Sequence, residues 1–157
     1  MMKAKLTNAG QASTINELRP IDNWGKRAIL VMSDCGSSPV LANLISGHLA
    51  GIGIKHGYLC YDRSAYAVAN GFGRLGFKSG AELVELCQPQ QLLFKEAIVE
   101  LAQEREWGAI VVDNINIAVW QTRMGRDELI QSLEQAAREL EIPIFCIANK
   151  PRKVEIE

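Results

Sequence analysis

Long apolar runs, a surplus of charge of one sign and closely spaced metal ligands are all scarce in this sequence, and each scarcity excludes something. No apolar run approaches the ~18 residues that a membrane-spanning helix needs. The opening MMKAKLTNAGQAST carries two lysines with no apolar core behind them, so it does not read as a secretory signal. The expectation is a cytoplasmic protein with no membrane partner. Lys and Arg number 17 against 18 Asp and Glu, a net charge of −1. No broad basic field therefore advertises nucleic acid, although a local patch stays open. The four cysteines, Cys35, Cys60, Cys87 and Cys146, are widely spaced and form no CxxC pair. They read as free buried thiols, with no metal expected. His48 and His56 have no acid or cysteine at a useful spacing, and no Ser/His/Asp order stands out. Each is expected to be solvated or in the core, and no catalytic residue is assigned.

What is present is an ordinary globular composition. The chain has 157 residues, 48% apolar and 22% charged, enough for one domain with a real core. Residues 1–27 are polar and read as a leader, and residues 28–157 read as a single domain. AILVMS (28–33) has the continuous apolar character of a strand covered on both faces. PVLANLISGHLAG (39–51) reads as a helix with Pro39 in its first turn. HGYLCYD (56–62) is a second strand, SAYAVANGFGRLGF (64–77) a helix ending near Gly71 to Gly76, and AELVELC (81–87) a third strand. QQLLFKEAIVELAQERE (90–106) is a helix with Leu93, Ala97, Ile98 and Leu101 on one face. GAIVVDNINIAV (108–119) reads as a fourth strand with a polar exit, which would leave Trp120 and Met124 in a loop. RDELIQSLEQAARELE (126–141) is the most regular helix, and IPIFCIAN (142–149) is a fifth strand. Alternating strands and helices predict a three-layer αβα sandwich around a mainly parallel five-stranded sheet.

In such sheets ligands gather beyond the C-terminal strand ends. The first strand and helix have the outline of a phosphate-binding loop, GxxxxGK[ST], whose amides cradle phosphates and whose lysine neutralises them. The loop here reads SDCGSSPV. Ser38 falls where the lysine belongs, Pro39 removes an N–H, and Asp34 adds a negative charge. Gly36, Ser37 and Ser38, with Asp113 and Asn149, are the residues that would meet a nucleotide if one binds. Lys26 or Lys55 would then have to bring a cation from outside the loop. GFGRLG (71–76) matches GxGxxG but follows a predicted helix where the motif needs a strand, so it is read as a coincidence. Trp120, Arg123, Met124, Arg126, Lys150, Arg152 and Lys153 form a candidate interaction surface, against the plainer reading of a solvated rim.

Three stretches carry a resemblance to the RecA/DnaB family of P-loop ATPases. GYLCYDRSAYAVANGFGRLGF is similar to the family's second strand and following helix. LVELCQPQQLLFKEAIVELAQEREWGAIVVDNI resembles its strand, Gln-Pro, helix and Walker B strand. AARELEIPIFCIANKPRK resembles the helix and strand that lead to an SQLNR-type ending. The resemblance spans about residues 28–153 and implies a RecA-like fold. It implies Asp113 as the Walker B acid, Asn149 near the polar sensor and Arg152 near the arginine of the ending. The family's catalytic glutamate is replaced within YDRSA by Arg63 or Ser64.

The resulting expectation is a RecA-like domain with a degenerate, lysine-less Walker A loop. It would not be an enzyme, would hold no cofactor, and would regulate or inhibit another protein. The partner expected is a P-loop motor or filament protein of replication, recombination or plasmid or phage transfer; self-association is also open. A divergent ATP-Mg-binding switch and a DNA-binding accessory using the basic rim are the alternatives.

Overall fold

In the computed structural model the described residues are 4–8, 11–14, 24–33, 38–61, 81–87 and 95–149. Chain order gives strands β1 (Ala4–Asn8), β2 (Gln11–Thr14) and β3 (Ala28–Ser33), helix α1 (Ser38–Gly51) and strand β4 (His56–Cys60). A single 3-10 turn (Ala81–Leu83) leads into β5 (Val84–Cys87) and is followed by helix α2 (Lys95–Arg105). Strand β6 (Ala109–Asp113), helices α3 (Ile115–Thr122) and α4 (Arg126–Leu140) and strand β7 (Ile144–Asn149) complete it. The sheet order is β2-β1-β3-β7-β6-β4-β5. The five strands from β3 to β5 are parallel, as the alternation of strands and helices predicts.

Both faces are covered, which is why β4 and β6 are buried at every position. On one face α1 lays Leu41, Ile45 and Leu49 on Val31, Tyr58, Val111, Phe145 and Ile147. On the other, Ile98 of α2, Ile115 of α3 and Leu129 and Leu133 of α4 pack on Leu59, Ile110, Val112 and Ile144. Helix α4 has the apolar stripe and the charge placement that a stable surface helix needs. Asp127 and Glu128 lie in its first turn and Arg138 in its last, each complementing the helix dipole. No described helix is long and apolar enough to cross a membrane.

Three expectations change. Residues 4–8 and 11–14, expected within a leader of little periodicity, are paired antiparallel strands, and the inner one pairs antiparallel with β3, Leu6 opposite Val31. The fourth strand stops at Asp113, because Asn114 caps a helix there, its Oδ1 accepting from the Asn116 N–H at 2.7 Å. NINIAV is therefore helical, and Trp120 sits on α3 and not in a loop. The third strand is only Val84–Cys87. The helix expected over 64–77, the GFGRLG motif within it and Cys35 lie outside the described residues.

One contact ties the sheet to the loop before β6. Trp107 lies flat on Gly57, and its indole N–H donates to Glu85 Oε2 at 3.0 Å. A Cβ at position 57 would stand 2.5 Å from the Trp107 ring. Gly57→Ala is expected to cost about 1–3 kcal/mol by overpacking. Denaturant unfolding checks this, and the cost should shrink in a Trp107→Leu background.

Candidate functional site

Strand β3 ends at Ser33, β6 at Asp113 and β7 at Asn149, all at the edge of the sheet where α1 begins. Alternation puts their side chains on one face. Val31, Val111 and Ile147 belong to the cluster under α1, and each is two residues before its strand's last residue. Ser33, Asp113 and Asn149 therefore all point into the space beneath the start of α1. Of the five residues assigned to a nucleotide site, the structure brings together Asp113 and Asn149, the latter at the end of the neighbouring strand. Gly36 and Ser37 lie outside the described residues; Ser38 opens α1, but only its backbone is described.

Two hydrogen-bond networks organise this edge. Ser33 Oγ donates to Asn149 Oδ1 at 3.0 Å, with the Ala148 carbonyl at 3.3 Å. The Asn149 N–H donates to Asn116 Oδ1 at 3.0 Å, which fastens the end of β7 to the first turn of α3. Deeper in, the Tyr58 hydroxyl donates to Asp113 Oδ2 at 2.6 Å and lies 3.2 Å from Asn43 Oδ1. One hydroxyl proton serves one acceptor, and the shorter contact to a carboxylate takes it. Asn43 Oδ1 is the second, longer acceptor within reach of the same hydroxyl. The chain Asn43–Tyr58–Asp113 thus joins α1, β4 and β6 beneath a helix. The peptide between Asp113 and Asn114 is cis.

A second polar pair lies further from the edge. His56 is buried, its Nδ1–H donating to the Ile54 carbonyl at 2.9 Å and its Nε2 facing the Ser46 hydroxyl. Burial pulls its pKa below 6.5, while the Ile54 carbonyl acts in the opposite direction. The neutral tautomer with the proton on Nδ1 fits both contacts. Neither the Tyr58 chain nor this pair was expected from the sequence. The signal was there in Asn43 and Ser46, three apart in an apolar helix, with Tyr58 and His56 two apart in an apolar strand. Polar groups at buried spacings need partners.

Two of the described cysteines, Cys87 and Cys146, sit where burial disfavours the thiolate. Burial pushes the Cys146 thiol up to about 12, with the Glu134 carboxylate adding to it, and burial also raises Cys87. Thiols raised in this way are poor nucleophiles at neutral pH.

The remaining expectations divide cleanly. Trp120 is 85% exposed, Arg123 and Arg126 are exposed, and Met124 is half-buried. Arg126 reaches toward the Met32 sulfur at 3.6 Å, near the C-terminal end of β3. Lys150, Arg152 and Lys153 lie outside the described residues. Lys26 and Lys55 stand at the N-terminal ends of β3 and β4. Lys26 precedes β3 and pairs with Glu141 at 3.1 Å, and Lys55 precedes β4. Both stand at the opposite end of strands about 17–20 Å long.

No family model matches this sequence, and no curated protein sequence matches it. Solved structures do share its architecture. A KaiC-like protein from the hyperthermophilic archaeon Pyrococcus horikoshii OT3 has a TM-score of 0.66 at 12% identity, over 83% of this chain and 66% of the other. The flagellar accessory protein FlaH from Methanocaldococcus jannaschii has a TM-score of 0.61 at 13% identity, over 83% of this chain and 65% of the other. The chain thus spans just under two thirds of each neighbour's length. At these identities the likeness is one of fold alone. The fold is an α/β sandwich of RecA-like type.

Two measurements test the buried networks. Tyr58→Phe removes a donor from a buried carboxylate and is expected to cost about 1–3 kcal/mol. The same substitution made in an Asp113→Asn background should cost less; an equal cost would remove the hydrogen bond from the account. His56 gives a pH dependence. Its folded pKa lies below the unfolded one, so the unfolded chain takes up the proton first. The contribution is fully present above 6.5 and is lost as pH falls toward the folded pKa. Melting temperature should therefore drop from about pH 7.5 to about pH 5.5. His56→Gln should flatten that drop, and an unchanged slope would assign it to other groups.

Proposed function

We propose that this chain is a non-catalytic RecA-like domain that regulates or inhibits a P-loop motor or filament protein by binding it. The observation that carries the reading is Trp120, a large indole 85% exposed on the helix that follows the Asp113 strand. Tryptophan and arginine are the side chains that most often anchor a protein interface. Here Trp120 is followed three residues on by exposed Arg123, whose left-handed backbone ends α3, its N–H donating to the Val119 carbonyl. The indole is therefore held by a capped helix, so little conformational entropy opposes its burial against a partner.

The absence of a lysine from SDCGSSPV supports the non-catalytic part. Lys26 and Lys55, the outside sources considered for it, belong to the far end of the sheet. In this reading no cofactor is held and Asp113 serves the fold, its carboxylate accepting from Tyr58. A second reading, a divergent nucleotide switch, is favoured by Asp113 and Asn149 sharing the face beneath α1. There Gly36, Ser37 and Ser38 would supply the phosphate cradle.

The test combines affinity capture with mass spectrometry and calorimetry. The expected outcome is a captured P-loop ATPase or filament protein whose activity falls when this chain is added. Trp120→Ala should weaken that complex by about tenfold or more, as loss of an aromatic anchor does. ATP with magnesium should give no heat below about millimolar affinity. Tight ATP binding, or a complex indifferent to Trp120→Ala, would reject the reading.

A further inference from the structure

Strand β3 is covered completely on one side and only partly on the other. Ile29, Val31 and Ser33 are buried under α1, whereas Ala28, Leu30 and Met32 on the α4 side are only half-buried. Helix α4 commits its stripe, Leu129, Leu133, Ala136 and Ala137, to the core beneath it. A groove of about 490 Å³ is left beside β3, with Leu30 and Ile130 among its lining.

The rim of the groove is charged in a particular way. Glu134 accepts from the Ala28 N–H at 2.8 Å, from Arg27 Nε at 3.3 Å and from Arg138 Nε at 3.3 Å. One carboxylate thus faces two guanidinium groups, and that end keeps a surplus of positive charge. The Arg27 and Arg138 side chains are 41% and 66% exposed, so donors on both forks remain available. At the other end Asp127 lines the groove and Arg126 leans over Met32, an offsetting pair of charges.

We infer that this groove binds an extended acidic segment of a partner protein in which apolar and acidic residues alternate. Alternate side chains of an extended segment point to opposite sides. One set rests on Leu30 and Ile130, and the carboxylates between them meet Arg138 and Arg27 at the rim. The groove follows α4, whose 15 residues span about 22 Å, room for about six extended residues. A polyanion such as nucleic acid fits poorly, because its backbone brings no apolar side chains to cover Leu30 and Ile130. A wholly apolar ligand would leave the surplus guanidinium charge unmatched. The surface does not involve Trp120, and it shares with the rim described above only Arg126, which leans over one end.

A labelled peptide Val-Glu-Ile-Glu-Val-Glu, the alternation found at Val154–Glu157, is a suitable probe, read by fluorescence anisotropy on the full chain. Saturable binding that weakens with salt is expected, with no comparable binding of Val-Lys-Ile-Lys-Val-Lys. Arg138→Gln and Arg138→Glu should weaken it by about fivefold and tenfold or more, and Leu30→Gln should weaken it as well. Arg138 is exposed, so its variants should remain folded. Trp120→Ala should leave it unchanged. No saturation up to about 1 mM, equal binding of the lysine peptide, or indifference to both Arg138 variants would overturn the inference.

Discussion

A carboxylate sealed beneath a helix has to be solvated by the protein itself, and in this fold that requirement falls on Tyr58. Asp113 ends the central strand β6 at 1% exposure, where an uncompensated charge would cost several kcal/mol. The phenol that reaches it comes from the middle of β4, and Asn43 of α1 stands on the other side of that phenol. Three elements are thereby fixed relative to one another. If β4 slipped by one residue against β6, Tyr58 would face α2 and the network would be lost, together with every apolar side chain on that face.

His56 and Ser46 repeat the arrangement one turn of α1 and two residues of β4 away from the edge. Together the two pairs make α1 a helix whose inward face is partly polar, matched position by position to the strand below it. A purely apolar helix could slide or rotate over an apolar sheet at little cost. Directional bonds remove that freedom, because an unmatched buried hydroxyl or imidazole is expensive. The position of the helix is set from inside the core.

How much of this was legible in the sequence depended on the kind of signal. The five parallel strands showed as short apolar runs because burial on both faces removes polar alternation, and α4 showed because its stripe has helical period. The β1–β2 hairpin did not show. An edge hairpin gains its stability from pairing with β3, and AKLTN and QAST carry too little apolar pattern to announce it. Helix α3 was hidden by its own composition. Ile115, Ile117 and Val119 are β-formers, and only the Asn114 cap marked the change from strand to helix. Asp113 and Asn149 could be found as strand-end polar residues. Their partners could not, since Tyr58 lies 55 residues from Asp113 and Ser33 lies 116 from Asn149.

The same long-range bonds bear on why a RecA-like frame would persist without a lysine in its first loop. In a nucleotide-hydrolysing site the acid at the end of the central strand serves a metal and its water. Here that acid accepts a 2.6 Å hydrogen bond from Tyr58, which gives it a structural part of its own. Replacing the acid would take from the tyrosine hydroxyl its shorter acceptor and leave it the longer contact with Asn43. Asn149 is held likewise, its side chain by Ser33 and its backbone by Asn116. Strand-end residues of this kind look catalytic in the sequence because of where they stand. Here Asp113 accepts from a tyrosine hydroxyl, and Asn149 meets a serine hydroxyl and an asparagine side chain.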